Sequence, residues 1–197
     1  AYMKRSSASP TSDKIGTYSI WFKIGIMGTD RRLAMSFVDG NNYGYLRIHS
    51  DNTLQFYAVG GGSVTASMIT TQLFRDPSAW YHVVLAIDTT QGTEGNRIKI
   101  YVNGTQVTAF STETYFSGDT VNAMFSQSGT NEHTVGSAEN GTVEWDGYMA
   151  ETFFVDGTQL AASAFGEFDS DSPTIWKPID VSGLTFGNNG FYLDFED

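Results

Sequence analysis

The sequence predicts an all-β protein: a two-sheet antiparallel β-sandwich of the jelly-roll type with one short helix. Three observations predict it. Apolar–polar alternations recur along nearly all of the 197 residues and are broken at short intervals by Gly, Asn and Asp. Aromatic residues are abundant (14 Phe, 10 Tyr, 4 Trp), and these side chains favour pleated, half-buried surfaces. Finally, "RIKIYVNGTQVTAF", Arg97 to Phe110, joins two alternating runs through Asn103-Gly104. A type I′ turn needs positive φ at both central residues, which is what Asn-Gly supplies.

The elements follow in order. "TYSIWFKIG" puts Tyr18, Ile20, Phe22 and Ile24 on one strand face. "RRLAMSFVDG" and "NYGYLRIHSDNTLQFYAVGGG" follow as strands separated at Asp39-Gly40, Asp51-Asn52 and Gly60-Gly61-Gly62. "SVTASMITTQLF" is a further strand. "AWYHVVLAIDTT" is near-continuously apolar, as in a strand buried on both faces. After the Asn-Gly hairpin, the Ser-, Thr-, Gly- and Asn-rich stretch from Glu113 to Asn131 reads as a variable loop. "EHTVGSAENGTVEWDGYMAETFFVDG" reads as two strands around Glu139-Asn140-Gly141, and "GFYLDFED" as the last strand. Only Thr158 to Phe168 has a helical pattern, centred on Leu160–Phe165. Residues 1–197 make one domain. The start at Ala1 and the stop inside a strand pattern suggest a fragment of a longer chain.

Composition narrows the function. The formal net charge is −11, and it is uneven: residues 1–110 carry 10 basic and 7 acidic side chains, residues 111–197 only 1 basic against 15 acidic. An acidic surface repels phosphate backbones and anionic lipid, so nucleic acid is not an expected partner. No apolar run is long enough to span a bilayer, so no membrane insertion is expected. The absence of Cys removes disulfide frameworks, zinc-thiolate sites and Cys nucleophiles.

Three blocks then carry a resemblance. "WYHVVLAIDTT…NRIKIYVNGTQV" resembles the paired central strands of laminin-G-like, concanavalin-A-like jelly rolls. "WDGYMAETFFVDGTQLAASAFGEF" is similar to their later block, in which a strand leads into a short helix. "MITTQLFRDPSAWYHVV" and "IWKPIDVSGLTFGNNGFYLDFED" are similar to such domains in marine phage tail and fibre proteins. The resemblance implies a virion appendage, in the virion and, during assembly, in the host cytoplasm. Its partners would be a host-surface glycan and other virion subunits, and its parent a homotrimer. The fold also hosts glycosidases and pure adhesion modules, so function has to be read from the site.

Candidate sites are weighed against plainer readings. Glu144 and Asp146 share a strand face in "VEWDGYMAE", similar to the acidic motif of retaining glucanases of this fold. The third acidic place falls on Tyr148 or Met149, which cannot carry the proton, and Glu151 has the opposite parity. No catalytic residue is assigned. His82, between Tyr81 and Val83, reads as a hydrogen-bonded structural histidine, and no Gly-x-Ser-x-Gly nucleophile is present. The resemblance makes calcium at a sandwich rim conceivable, and Asp39, Asn41 and Asn42 offer hard oxygens. The same residues favour turns by backbone geometry, so no metal site and no cofactor are assigned. Asn103-Gly-Thr and Asn140-Gly-Thr match glycosylation acceptors but read as turns. Trp21, Trp80, Trp145 and Phe154 read as core. Sugar recognition is placed on two loops. One holds Asn41, Asn42, Tyr43 and Tyr45, with both rings on one face, and the other holds Asn131, Glu132 and His133. The expected function is therefore a non-catalytic carbohydrate-binding module. The alternatives are a structural virion module that binds no sugar and a glycan hydrolase of the same fold.

Overall fold

The protein is represented by a computed structural model, which describes residues 2–122, 124 and 131–195. Numbered in chain order, the strands make two large antiparallel sheets. The first runs β1 (Met3–Ser6), β11 (Glu132–Val135), β3 (Arg31–Asp39), β4 (Asn42–Ile48), β5 (Thr53–Gly60), β6 (Ser63–Leu73) and β10 (Phe110–Thr114). The second runs β15 (Phe191–Leu193), β12 (Gly147–Asp156), β2 (Ile15–Ile24), β7 (Tyr81–Asp88), β8 (Ile98–Val102) and β9 (Thr105–Gln106). A two-stranded ribbon, β13 (Gly166–Phe168) with β14 (Trp176–Pro178), stands apart.

Alternation decides which side of each strand meets the core. In the seven-stranded sheet Ala34, Leu46, Phe56 and Met68 lie opposite one another across β3, β4, β5 and β6, and all are fully buried. Tyr18, Ile20, Phe22 and Ile24 answer from β2 of the other sheet, as their shared parity requires. β7 is buried along its whole length, as its apolar run predicts.

That double burial has a structural cause. The outward-facing Val84 and Ala86 of β7, with Phe153 and Val155 of β12, form a second apolar cluster with Ala162, Phe165 and Val181. Leu160, Trp176, Ile179, Leu184 and Phe186 complete it. The chain after β12 thus forms a cap over the outer face of the six-stranded sheet. Among the described residues the opposite sheet has no such cap.

Several expectations are corrected here. The helix over Leu160–Phe165 is a single 3-10 turn, Ala162–Ala164. The Thr17 hydroxyl donates to the Thr158 carbonyl (2.8 Å) and accepts from the Leu160 amide (2.9 Å), which ties this segment to β2 and draws its backbone bonds away from a helix. "VEWDGYMAE" is strand only from Gly147 onward, so Glu144 and Asp146 sit in the preceding loop. Trp80 is 42% exposed, not core, whereas Trp21, Trp145 and Phe154 are buried. Tyr43 and Tyr45 lie on β4 and Glu132 and His133 on β11, so the two expected binding loops are largely strand. Within the expected variable loop, residues 123 and 125–130 lie outside the described residues, as do Glu196 and Asp197 of the last strand pattern.

Candidate functional site

Because the cap covers one outer face, the other outer face, that of the seven-stranded sheet, is where side chains remain available. Opposite-parity residues line up there. Met35, Tyr45 and Tyr57 pair across β3, β4 and β5, and Glu132, Phe37 and Tyr43 pair across β11, β3 and β4. Residues directly opposite in an antiparallel ladder project to the same side. Tyr43 and Tyr45 stack with centroids 6.2 Å apart and an 11° interplanar angle, and Tyr45 and Tyr57 at 5.4 Å and 22°. Tyr45 in the middle is buried, while Tyr43, Tyr57 and Phe37 keep part of their surface open.

Two cations frame the tyrosines. The Arg32 guanidinium carbon lies 3.6 Å from the Tyr45 ring centroid and that of Arg47 lies 5.2 Å away. Arg47 is fully engaged on one side: its Nη1 donates to Asp30 at 2.5 Å and its Nε to Gln55 at 2.6 Å. The Arg32 side chain donates no hydrogen bond among the described residues, and its Nε and Nη1 are buried without an acceptor. Burial lowers the proton affinity of Arg32, Tyr45 counteracts this and Arg47 adds to it. Burial likewise raises the Tyr45 hydroxyl, with Arg47 and Arg32 opposing.

A loop walls one side of this face. Ala138 and Val143 pack against Met35, Tyr45 and their neighbours. Thr134, next to Met35 in the ladder, is covered by this loop and donates to the Ser137 carbonyl at 2.7 Å. Val143 has φ = 53°. A β-branched residue rarely adopts that conformation, and such strain concentrates at functional positions. Its carbonyl accepts the Arg32 amide at 3.2 Å, so the strained residue also holds the backbone of that cation.

The expected site residues divide. Tyr43, Tyr45 and Glu132 share the outer face, with Phe37 between Tyr43 and Glu132. Glu132 is ion-paired to Lys4 at 2.6 Å. Asn131 and His133 do not reach that face. Both point to the core side and are buried, Asn131 donating to Ser36 Oγ at 3.5 Å and His133 Nδ1 lying 2.5 Å from the Tyr18 hydroxyl. The error was one of parity: of three consecutive residues on a strand, only the middle one faces out here. Asn41 belongs to the β3–β4 turn and Asn42 opens β4 beside it. Sequence reading missed Arg32, Arg47 and Tyr57. The alternation of "RRLAMSF" with "YGYLRI" could have paired Arg32 and Arg47 beside Tyr45, had the hairpin register been drawn out.

The turn at Asp39 does not suit a metal. Its Oδ1 accepts the Asn41 amide at 2.7 Å, and both carboxylate oxygens accept from Asn42 Nδ2 at 3.0 and 3.2 Å, so the carboxylate serves the turn itself. No cluster of three His, Asp or Glu suited to a metal occurs among the described residues. Glu151, in a bulge of β12 with φ = 41°, accepts the Tyr192 hydroxyl at 2.8 Å. Both Asn-Gly-Thr sites are turns, the Asn103 side chain accepting the His82 amide and the Asn140 side chain accepting from Thr142.

Residues 1–164 match the laminin-G-type family model of the concanavalin A-like lectin/glucanases superfamily. No curated protein matches the chain significantly. Solved structures share the fold at low identity. A candidate carbohydrate-binding protein from Bacteroides ovatus is 16% identical with a TM-score of 0.56, covering 98% of this chain and 49% of that one. The CBM40 of a Ruminococcus gnavus sialidase, bound to α2,3-sialyllactose, is 14% identical with a TM-score of 0.53 over 82% of this chain and 95% of that one. Mouse laminin α1 domains LG4-5 are 12% identical with a TM-score of 0.52 over 99% and 44%. The chain thus spans about half the length of the Bacteroides and laminin chains. At these identities the likeness is one of fold.

Proposed function

The chain belongs to the concanavalin A-like lectin/glucanases superfamily, and from that premise we propose that it is a non-catalytic carbohydrate-binding module whose platform is the outer face of the seven-stranded sheet. One observation carries this reading. The cap closes the outer face of one sheet, while the other keeps a row of three tyrosines flanked by two arginines. Sugar rings bind through their C–H faces to aromatic rings, and their hydroxyls to planar donors and acceptors. Tyr43, Tyr57 and Phe37 supply the partly open rings, and Arg32 and Glu132 the polar groups. That several solved structures of this fold are carbohydrate-binding modules agrees with the reading. The missing third carboxylate of the "VEWDGYMAE" segment argues against hydrolysis.

The same proposal places the module on a phage tail or fibre, facing a host-surface glycan beside other virion subunits in a homotrimeric parent. This setting rests on the sequence resemblance of "MITTQLFRDPSAWYHVV" and of the C-terminal block. Light scattering of the full-length parent checks it, three copies being expected and a stable monomer refuting it.

A glycan array, with host-cell binding as the positive control, tests the platform. Tyr43→Ala and Tyr57→Ala should each weaken binding by about 1–3 kcal/mol, on the scale of aromatic stacking against a planar ligand face, with the fold retained. Undiminished binding in both variants refutes the assignment of this face.

A further inference from the structure

We infer that the sugar taken by this platform carries a carboxylate, received by Arg32 with Arg47 beside it. The inference rests on reading the face as a glycan platform and adds the chemical class of its ligand.

The argument starts from the charge inventory of the face. Each acidic neighbour but one is already committed. Asp30 accepts from Arg47 Nη1 and, through its other oxygen, from the Ser50 amide at 2.9 Å. Glu132 is paired to Lys4. Glu139 is felt by Arg32 only as a charge and shares no hydrogen bond with it. Arg47 therefore has a hydrogen-bonded counter-ion, whereas Arg32 has no carboxylate within salt-bridge distance among the described residues and feels Asp30 and Glu139 only as charges further off. Two of the three Arg32 nitrogens, Nε and Nη1, are buried beside the Tyr45 ring without an acceptor, so on this proposal the ligand is met at Nη2.

An uncompensated guanidinium removed from water is costly, and its cost is recovered when an anion meets it. A neutral sugar hydroxyl can accept one hydrogen bond but leaves the charge uncompensated. A carboxylate supplies both the acceptor for Nη2 and the charge, in a charge-assisted hydrogen bond. Tyr45 fixes the cation by lying 3.6 Å beneath it, and the Arg32 amide is held by the Val143 carbonyl, so the receptor is preorganised. The position is also selective. With a net charge of −11 the molecule as a whole repels acidic glycans, and a local cation on an aromatic row gives one place where an acidic sugar is attracted.

The test titrates the intact protein with matched pairs: oligogalacturonate against its methyl ester, and sialyllactose against its methyl ester. The pairs separate uronic from sialic acids as the source of the carboxylate. The expected result is at least tenfold tighter binding of the acid form in one pair. Arg32→Gln should abolish that preference, bringing the affinities for acid and neutral forms together, and Arg32→Lys should keep part of it. Thermal melts confirm that both variants fold. Equal binding of acid and neutral forms, or a preference that survives Arg32→Gln, overturns the inference. Array binding confined to neutral glycans and lost in Tyr57→Ala overturns the carboxylate but keeps the platform. An array silent for every glycan overturns the platform and the inference with it.

Discussion

Two buried histidines are residues at which solution pH reaches this fold. His82 Nδ1 accepts the Trp176 indole N–H at 2.8 Å. An indole can only donate, so the imidazole proton is on Nε2, where it donates to Ser19 Oγ at 2.7 Å. The ring is stacked on Trp21 at 4.7 Å. The sequence reading of a structural histidine holds, but its partner Trp176 lies 94 positions away, beyond any local pattern. Burial pushes His82 down to about 3. Burial, aided by Arg5 and opposed by Asp156, pushes His133 down to about 4. Both folded values lie below the ordinary histidine value of 6.5, so the folded state refuses protons that the unfolded state takes up. Stability is therefore complete above that value and is lost as pH falls, until about 4 for His133 and about 3 for His82. Each histidine should contribute a slope of about 1.4 kcal/mol per pH unit in its window. Urea unfolding at a series of pH values from neutral to mildly acidic measures it. His82→Gln and His133→Gln should each flatten the dependence, even where they lower stability overall. A dependence unchanged in both variants refutes this assignment.

At the scale of elements, the Asn103-Gly104 hairpin shows what a local pattern can and cannot carry. Asn103 has φ = 46° and Gly104 φ = 82°, as the dipeptide predicts. A second reason for glycine was not legible: a Cβ on Gly104 would fall 2.5 Å from the Trp176 ring, which arrives from the cap. Gly104→Ala should therefore cost more than the roughly 1–2 kcal/mol of left-handed backbone strain alone. In the background of Trp176→Ala the overlap is gone, and the penalty should fall to the strain term. Denaturant midpoints of the four proteins in this cycle check it, and equal penalties in both backgrounds would refute the overlap. The strands were legible because alternation is a local property. The 3-10 turn at Ala162–Ala164 was misread because its conformation is set by Thr17, on a distant strand. The proposed binding face was half legible. Tyr43 and Tyr45 follow from parity within β4, whereas adding Arg32, Arg47 and Tyr57 requires the register between strands.

For the whole molecule, the cap decides which surface is free to bind. The family match ends at residue 164, so Phe165 and the β13–β14 ribbon that complete the cap lie beyond the matched part of the chain. Phe165 is fully buried between this segment and Phe153, their ring centroids 5.4 Å apart. Without the cap, Val84, Ala86, Phe153 and Val155 would form an exposed apolar patch on a sheet face, a surface that invites self-association. Phe165→Ala should cost about 3–5 kcal/mol, as large-to-small changes at fully buried aromatic sites do. It should also loosen the cap ahead of the sandwich, because the main core shares no residue with this cluster. Three readouts follow: a lower unfolding midpoint, new binding of a hydrophobic dye, and early proteolytic cleavage within residues 158–190. Binding at the tyrosine face should persist under conditions in which the sandwich remains folded, since that face lies on the other sheet. A variant as stable as its parent, without dye binding and cleaved no faster, would show that the cap is not what keeps the six-stranded sheet dry. Loss of glycan binding while the sandwich stays folded would show that the two faces are coupled rather than independent.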